Sequence, residues 1–288
     1  KELASYYGLN DDQVFVGVGS DDVLAMSFLT FFNSDKPVLF PDVTYSFYKV
    51  WADLFKVPFE TPVLKEDFTI DVKDYEKENG GVIFPNPNAP TGVYMPLDQV
   101  EEILKANQDV VVIVDEAYVD FAGPSALELL DKYENLLVVQ TFSKSRSMAG
   151  MRIGFAMGHP DLIRALNDVK YSYNSYTMNL PSLLAGVEAV KDKEYFEKTI
   201  EKIVATREHA KKRLTELGFT FPNSQSNFIF ASHKSVPAEK IFEALKKEQI
   251  YVRYFKTPGL DNSLRISIGT DEEMDTLFRF LEAYLPNA

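Results

Sequence analysis

Through the first two-thirds of the chain, short runs of apolar residues alternate with stretches where apolar positions recur every three or four residues. Val14–Val18, Val38–Phe40, Val82–Phe84, Val110–Val114 and Leu136–Val139 are of the first kind. Most are rich in β-branched residues and apolar at nearly every position, as in parallel strands covered on both faces. Leu97, Val100, Ile103 and Leu104 are of the second kind, an apolar stripe along a helix. The alternation predicts an α/β fold: three layers, a mostly parallel sheet with helices on both faces.

After about residue 188 the pattern changes. A long charged helix is predicted over roughly 193–217, with Phe196, Ile200, Ile203 and Val204 on one face. Strand-like Asn227–Ala231, a helix near Ala238–Lys247, and strands near Tyr251–Tyr254 and Leu264–Ile268 follow. Thr270 and Glu273 form a T-x-x-E capping box ahead of Met274, Leu277, Phe278 and Leu281, which opens a last helix. The expected organisation is a large domain over residues 1–188 and a smaller α+β C-terminal domain over 189–288.

Composition narrows the functions available. The net charge of −13 argues against nucleic acid and anionic membranes as partners. No apolar run approaches the roughly 20 residues of a membrane span. Cysteine is absent, and His159, His209 and His233 lack ligand spacing, so no metal site is expected. Together these features point to a cytoplasmic protein. The opening Lys1-Glu2-Leu3-Ala4 is not a signal peptide and has no initiator Met, so the sequence is expected to start inside a longer protein.

Three segments can carry chemistry. Val14–Val18 runs into Gly19-Ser20-Asp21 and a helix start, where free N–H groups and the helix dipole can hold a phosphate. Ser20 would serve equally well as an ordinary N-cap. No Gly-Lys-Ser/Thr follows, so this is not a Walker A loop. The strand Val110–Val114 delivers Asp115 and Glu116 to its C-terminal end, where open α/β sheets bind ligands. Such an acid can be a solvated strand end, or can hold a heteroaromatic nitrogen in its cationic form. Finally, Leu136–Val139 leads into Thr141-Phe-Ser-Lys144, with Arg152 eight residues on and Gly154 close behind. An amine on a turn at a strand end can be desolvated and made nucleophilic. Thr141, Ser143 and Arg152 are suited to binding phosphate.

These residues resemble the fold-type I aminotransferases dependent on pyridoxal 5′-phosphate, and most closely the histidinol-phosphate aminotransferases. The resemblance runs over essentially the whole chain. It rests on Gly19-Ser20-Asp21, Thr44-Tyr45-Ser46, Asn86-Pro-Asn-Ala-Pro-Thr-Gly92, Val114-Asp-Glu-Ala-Tyr118, Thr141-Phe-Ser-Lys144 with Arg152, and Leu264-Arg-Ile-Ser-Ile-Gly269. It implies that Lys144 joins the cofactor's aldehyde and Asp115 pairs with its ring nitrogen. Tyr118 would hydrogen-bond the ring hydroxyl and Tyr45 would stack on the ring. Ser20, Asp21 (through its backbone), Thr141, Ser143 and Arg152 would hold the phosphate. The family usually has Asn directly before Pro-Thr-Gly. Here Ala89 stands there, which leaves Asn88 as the candidate contact. The family's N-terminal arm, which lends a tyrosine to the neighbouring subunit of a homodimer, is not in the sequence.

Arg265 is expected to bind the substrate's anionic group, with Arg253 tilting the preference from carboxylate to phosphate. The implied reaction is transamination of histidinol phosphate, with 2-oxoglutarate and glutamate as the other pair, in histidine biosynthesis. An aromatic amino-acid aminotransferase is the alternative. A phosphothreonine decarboxylase of the same fold is a further one, and a PLP-binding sensor domain of a transcription regulator belongs to a different class.

Overall fold

A computed structural model describes all 288 residues, Lys1–Ala288. Seven strands form the larger sheet: β1 (Val14–Gly17), β2 (Val38–Leu39), β3 (Phe59–Glu60), β4 (Gly81–Pro85), β5 (Val112–Asp115), β6 (Leu136–Thr141) and β7 (Gly154–Gly158). Their order is β1-β7-β6-β5-β4-β2-β3. The pairs from β3 through β6 are parallel, whereas β7 runs antiparallel to both β6 and β1.

The helices are α1 (Glu2–Tyr7), α2 (Ser20–Phe31), α3 (Phe47–Phe55), α4 (Leu97–Ala106), α5 (Pro160–Tyr173), α6 (Leu180–Lys191), α7 (Lys193–Glu216), α8 (Ala238–Lys247) and α9 (Asp271–Tyr284). The central strands are apolar throughout because both faces are covered. Ile83, Ile113, Leu137 and Val139 pack with Val23, Leu24 and Phe28 of α2, Tyr48 and Trp51 of α3, and Ile163 of α5. Their neighbours Val82, Phe84, Val112, Val114, Leu136 and Val138 pack on the other side with Val100, Ile103 and Leu104 of α4. Alternation along each strand thus splits one apolar run between two cores.

The second sheet has four antiparallel strands, β8 (Phe219–Thr220), β9 (Phe228–His233), β10 (Arg253–Tyr254) and β11 (Leu264–Ser267), ordered β10-β11-β9-β8. One face has its own core, where Ile229, Ala231, Leu264 and Ile266 meet Leu214 of α7, Ile241 of α8 and Leu277 of α9. The expected capping box opens α9, with the Thr270 hydroxyl accepting from Glu273 N–H and the Glu273 carboxylate accepting from Thr270 N–H. No helix is long and apolar enough to cross a membrane.

The sheets meet at a polar joint. Arg207 of α7 is buried and donates from Nη1 to the Phe121 carbonyl at 2.8 Å and to the Ser226 carbonyl at 3.1 Å. Beside it, Gly92 packs so tightly on Ser224 that a Cβ there would lie 2.3 Å from the hydroxyl oxygen.

Candidate active site

The C-terminal ends of β5 and β6 converge with the start of α2 on a cavity of about 160 Å³. Ser20, Asp21, Tyr45, Asp115, Tyr118, Ser143, Lys144 and Arg152 line it, with Pro85, Ala89, Ala117 and Ala149 between them. A cleft of about 620 Å³ lies elsewhere, beside Phe68, Tyr94 and Phe230. Size does not favour it as the reactive site, because it brings no amine together with a buried acid.

Asp115 is the last residue of β5 and shares the α2/α3 side of the sheet with Ile113. Its Oδ2 accepts from the Tyr48 hydroxyl at 2.7 Å and its Oδ1 from the Ala117 N–H at 3.2 Å. Burial pushes its pKa up to about 6, and those two hydrogen bonds pull against the rise. A carboxyl so poised gains most from a cationic partner. Tyr48 is fully buried in α3, and burial together with Asp115 holds its phenol well above the usual range.

Lys144 follows β6 on a turn held by Thr141, whose Oγ1 accepts the Ser143 N–H at 3.1 Å. Its Nζ lies 5.4 Å from the centre of the Tyr118 ring. The next residue, Ser145, donates to the Asp120 carboxylate at 2.5 Å, pinning the far side of the turn.

The opposite end of the cavity is built for an anion. Gly19 caps α2 with φ 88°, and a Cβ there would lie 2.4 Å from Arg152 Nη2. A Cβ on Gly154 would lie 2.2 Å from the Ser20 nitrogen. The two glycines therefore let the guanidinium and strand β7 close directly on the first N–H groups of the helix. Arg152 itself sits at φ 53°, a left-handed conformation that costs a non-glycine residue about 1–2 kcal/mol. Tyr45 forms a wall, its hydroxyl donating to Asp21 Oδ1 at 2.8 Å.

The structure places several of the expected residues differently. Ser20 is not an N-cap but the first helical residue, because Gly19 takes the cap position. Thr141 does not line the cavity. Its hydroxyl lies 3.0 Å from the hydroxyl of Ser143, which does line the cavity, and 3.2 Å from the Ile153 carbonyl. Asn88 does not line it either, since its amide donates to the Val43 carbonyl and to Thr91 Oγ1, both at 3.0 Å. Ala89 faces the cavity instead.

Arg253 and Arg265 lie outside this cavity, directly opposite each other on β10 and β11. A chain of rings connects them to it. Tyr118 meets Phe228 edge-on at 5.1 Å, and the Arg265 guanidinium lies 5.0 Å from the Phe228 ring centre. Sequence reading missed Tyr48, although it lies three residues after Tyr45 in an aromatic run. It also missed Phe228, whose short run reads as ordinary core.

The model of the class I and II aminotransferases matches residues 1–281. The histidinol-phosphate aminotransferase of Brachyspira hyodysenteriae is 50% identical over 288 residues, which is all of this chain and 81% of that protein. The one from Clostridium acetobutylicum is 55% identical over 274 residues, 95% of this chain and 78% of that protein. Among solved structures, a histidinol-phosphate aminotransferase from Clostridium acetobutylicum superposes with a TM-score of 0.92 at 23% identity, covering 100% of this chain and 88% of that one. One from Sinorhizobium meliloti, in complex with pyridoxal-5′-phosphate, superposes at 0.87 with 24% identity, covering 99% and 79%.

Proposed function

The chain belongs to the class I and II aminotransferases, and from that premise we propose that it transfers the amino group of histidinol phosphate to 2-oxoglutarate. The observation that carries the reaction class is one cavity shared by Lys144, Asp115 and an anion cradle at the start of α2. Relatives about half identical over the full chain support the substrate.

The donors fit pyridoxal phosphate. The cradle that Gly19 and Gly154 keep open, with Ser20, Ser143 and Arg152, would take its phosphate. The buried Asp115 would hold the ring nitrogen as a cation, oriented by Tyr48. When bound, the cofactor supplies an electron sink for the charge left as the substrate Cα loses its proton. Lys144 is the one amine in the cavity and would hold the cofactor's aldehyde, and when freed it would serve as the base that moves the substrate Cα proton. Tyr45 covers one side of the site and would exclude water there, while the Tyr118 hydroxyl would donate to the ring oxygen. Asn88 is spent elsewhere and Ala89 has no donor, so Tyr118 bears that contact without help. In the same reading, residues 1–188 hold the cofactor and 189–288 supply Arg253 and Arg265 to the substrate phosphate. The enzyme would act in the cytoplasm, in histidine biosynthesis.

Half-reactions with histidinol phosphate and phenylalanine, followed by the cofactor's visible absorbance, test the assignment. Histidinol phosphate should be strongly preferred, and equal rates would favour the aromatic alternative. Arg265→Ala should cost histidinol phosphate about 2–5 kcal/mol of transition-state stabilisation. An unchanged kcat/KM would remove Arg265 from the site.

A homodimer belongs to the same reading. Tyr171, Tyr173, Tyr176, Leu180, Leu183 and Leu184 are exposed close together in sequence, with Tyr176 at 95%. Apolar surface of this kind marks an interaction face, and we assign it to a second copy of the chain. Light scattering should return twice the mass of one chain. The monomer mass at micromolar concentration would refute the dimer.

A further inference from the structure

We propose that Phe255 is a shared platform holding Arg253 and Arg265 as a matched pair, which makes the site selective for the dianion of a phosphate monoester over a carboxylate. The inference rests on the reading that these arginines meet the substrate's anionic group.

The two arginines are directly opposed in the register of β10 and β11. Like charges so placed repel, and side chains of this length would ordinarily diverge. A neighbouring carboxylate would be the usual remedy. Yet neither arginine is in an ion pair; those in this part of the chain lie along α7, Arg207 and Lys211 with Glu208, and Arg213 with Glu216 and with Glu282 of α9. Aromatic rings take that place. The Phe255 ring centre lies 5.5 Å from the Arg253 guanidinium and 6.0 Å from that of Arg265. Phe228 supports Arg265 from a second direction at 5.0 Å. The Arg265 Nε is buried with no hydrogen-bond partner, so the rings and not a protein acceptor set the position of this guanidinium.

A ring attracts a cation through its quadrupole without neutralising it. Carboxylates between the arginines would cancel the charge that a dianion needs, whereas Phe255 positions both forks and leaves two positive charges in place. A carboxylate brings one negative charge and two oxygens to two cations, whereas a phosphate dianion brings two charges and three oxygens that both forks can share. The platform is itself anchored. Phe255 packs on the buried Phe230 at 6.2 Å, and Phe230 is met at 5.9 Å by Phe68, from a turn beside the larger sheet. The arginine pair is thereby tied by ring contacts to both units of the chain.

Phe255 is thus a positioning residue, and its effect is read as selectivity. The test compares kcat/KM for histidinol phosphate with that for phenylalanine, whose anionic group is a carboxylate, and measures inorganic phosphate binding to the cofactor-loaded enzyme by calorimetry. Phe255→Leu, and Phe255→Met as a second ring-free variant of closer volume, should lower the ratio about ten-fold and weaken phosphate binding by a similar factor. Phe255→Tyr keeps the ring and should stay within about two-fold of the original on both measures. Ring-free variants that bind the cofactor and keep the original ratio and phosphate affinity would overturn the platform. So would a Tyr variant that loses as much as Leu. An unsubstituted enzyme without preference for the phosphorylated amine would instead overturn the substrate reading, and the platform with it.

Discussion

Lys144→Ala is expected to lower kcat by about four orders of magnitude or more, the largest loss available to any single side chain here. Lys144 has two roles in the proposed reaction, as the amine that binds the cofactor and as the base that moves the substrate proton, and general-base catalysis alone contributes about 10²–10⁴-fold. Lys144→Arg should fare no better, because a guanidinium retains charge but does not release its proton at working pH. Borohydride should no longer fix the cofactor to the chain in either variant. Stopped-flow half-reactions resolve the proton-transfer step. A Lys144→Arg enzyme retaining more than about one-hundredth of the rate would show that another group is the base.

The second large effect lies at Asp115. Asp115→Asn preserves the shape of the side chain and can still accept from Tyr48, but it removes the charge facing the ring nitrogen. Losing such preorganised charge costs about 10²–10³-fold in kcat. The change should also alter cofactor uptake with pH. In the cofactor-free protein Asp115 has its pKa raised to about 6, chiefly by burial. Its carboxyl is therefore largely neutral below that pH and ionised above it. A partner with a cationic ring nitrogen favours the ionised form, so affinity should rise with pH up to about 6 and then level off. The cofactor phosphate also titrates in this range, but that contribution should survive in Asp115→Asn. Fluorescence titrations of both proteins between pH 5 and 8 isolate the carboxyl step, and identical profiles would remove Asp115 from contact with the ring.

Much of this arrangement was legible along the chain. Asp115 and Lys144 each follow a continuous apolar run, and such runs read as buried parallel strands whose C-terminal ends meet ligands. The antiparallel β7 was not legible. Gly154-Phe-Ala-Met-Gly158 lacks β-branched residues and is bracketed by glycines, so it resembles a loop. Gly154 is there because β7 must pass within van der Waals contact of the α2 start, a constraint between residues 135 positions apart. The N-cap alternative for Ser20 falls away for a local reason, since the glycine before it takes the cap position that its side chain favours.

Asn88 and Thr141 show where one-dimensional reasoning fails. Both have donors at the right place in the chain, and both direct them to the protein's own backbone and hydroxyl groups. Position along a sequence specifies which atoms are available but not the direction in which they point. Tyr48 is the converse case: within its helix it reads as core, and only folding brings its hydroxyl to Asp115, 67 residues away.

The amino-acid sequence by itself determined the central parallel strands, their order of appearance, and the candidate amine and acid at their ends, because periodicity and local motifs are properties of neighbouring residues. Tertiary structure alone decided which polar groups face the cavity, which are used up in the scaffold, and that two arginines from separate strands share an aromatic ring. Those outcomes depend on contacts between distant segments. Their energies exist only once the sheets have packed and water has been excluded.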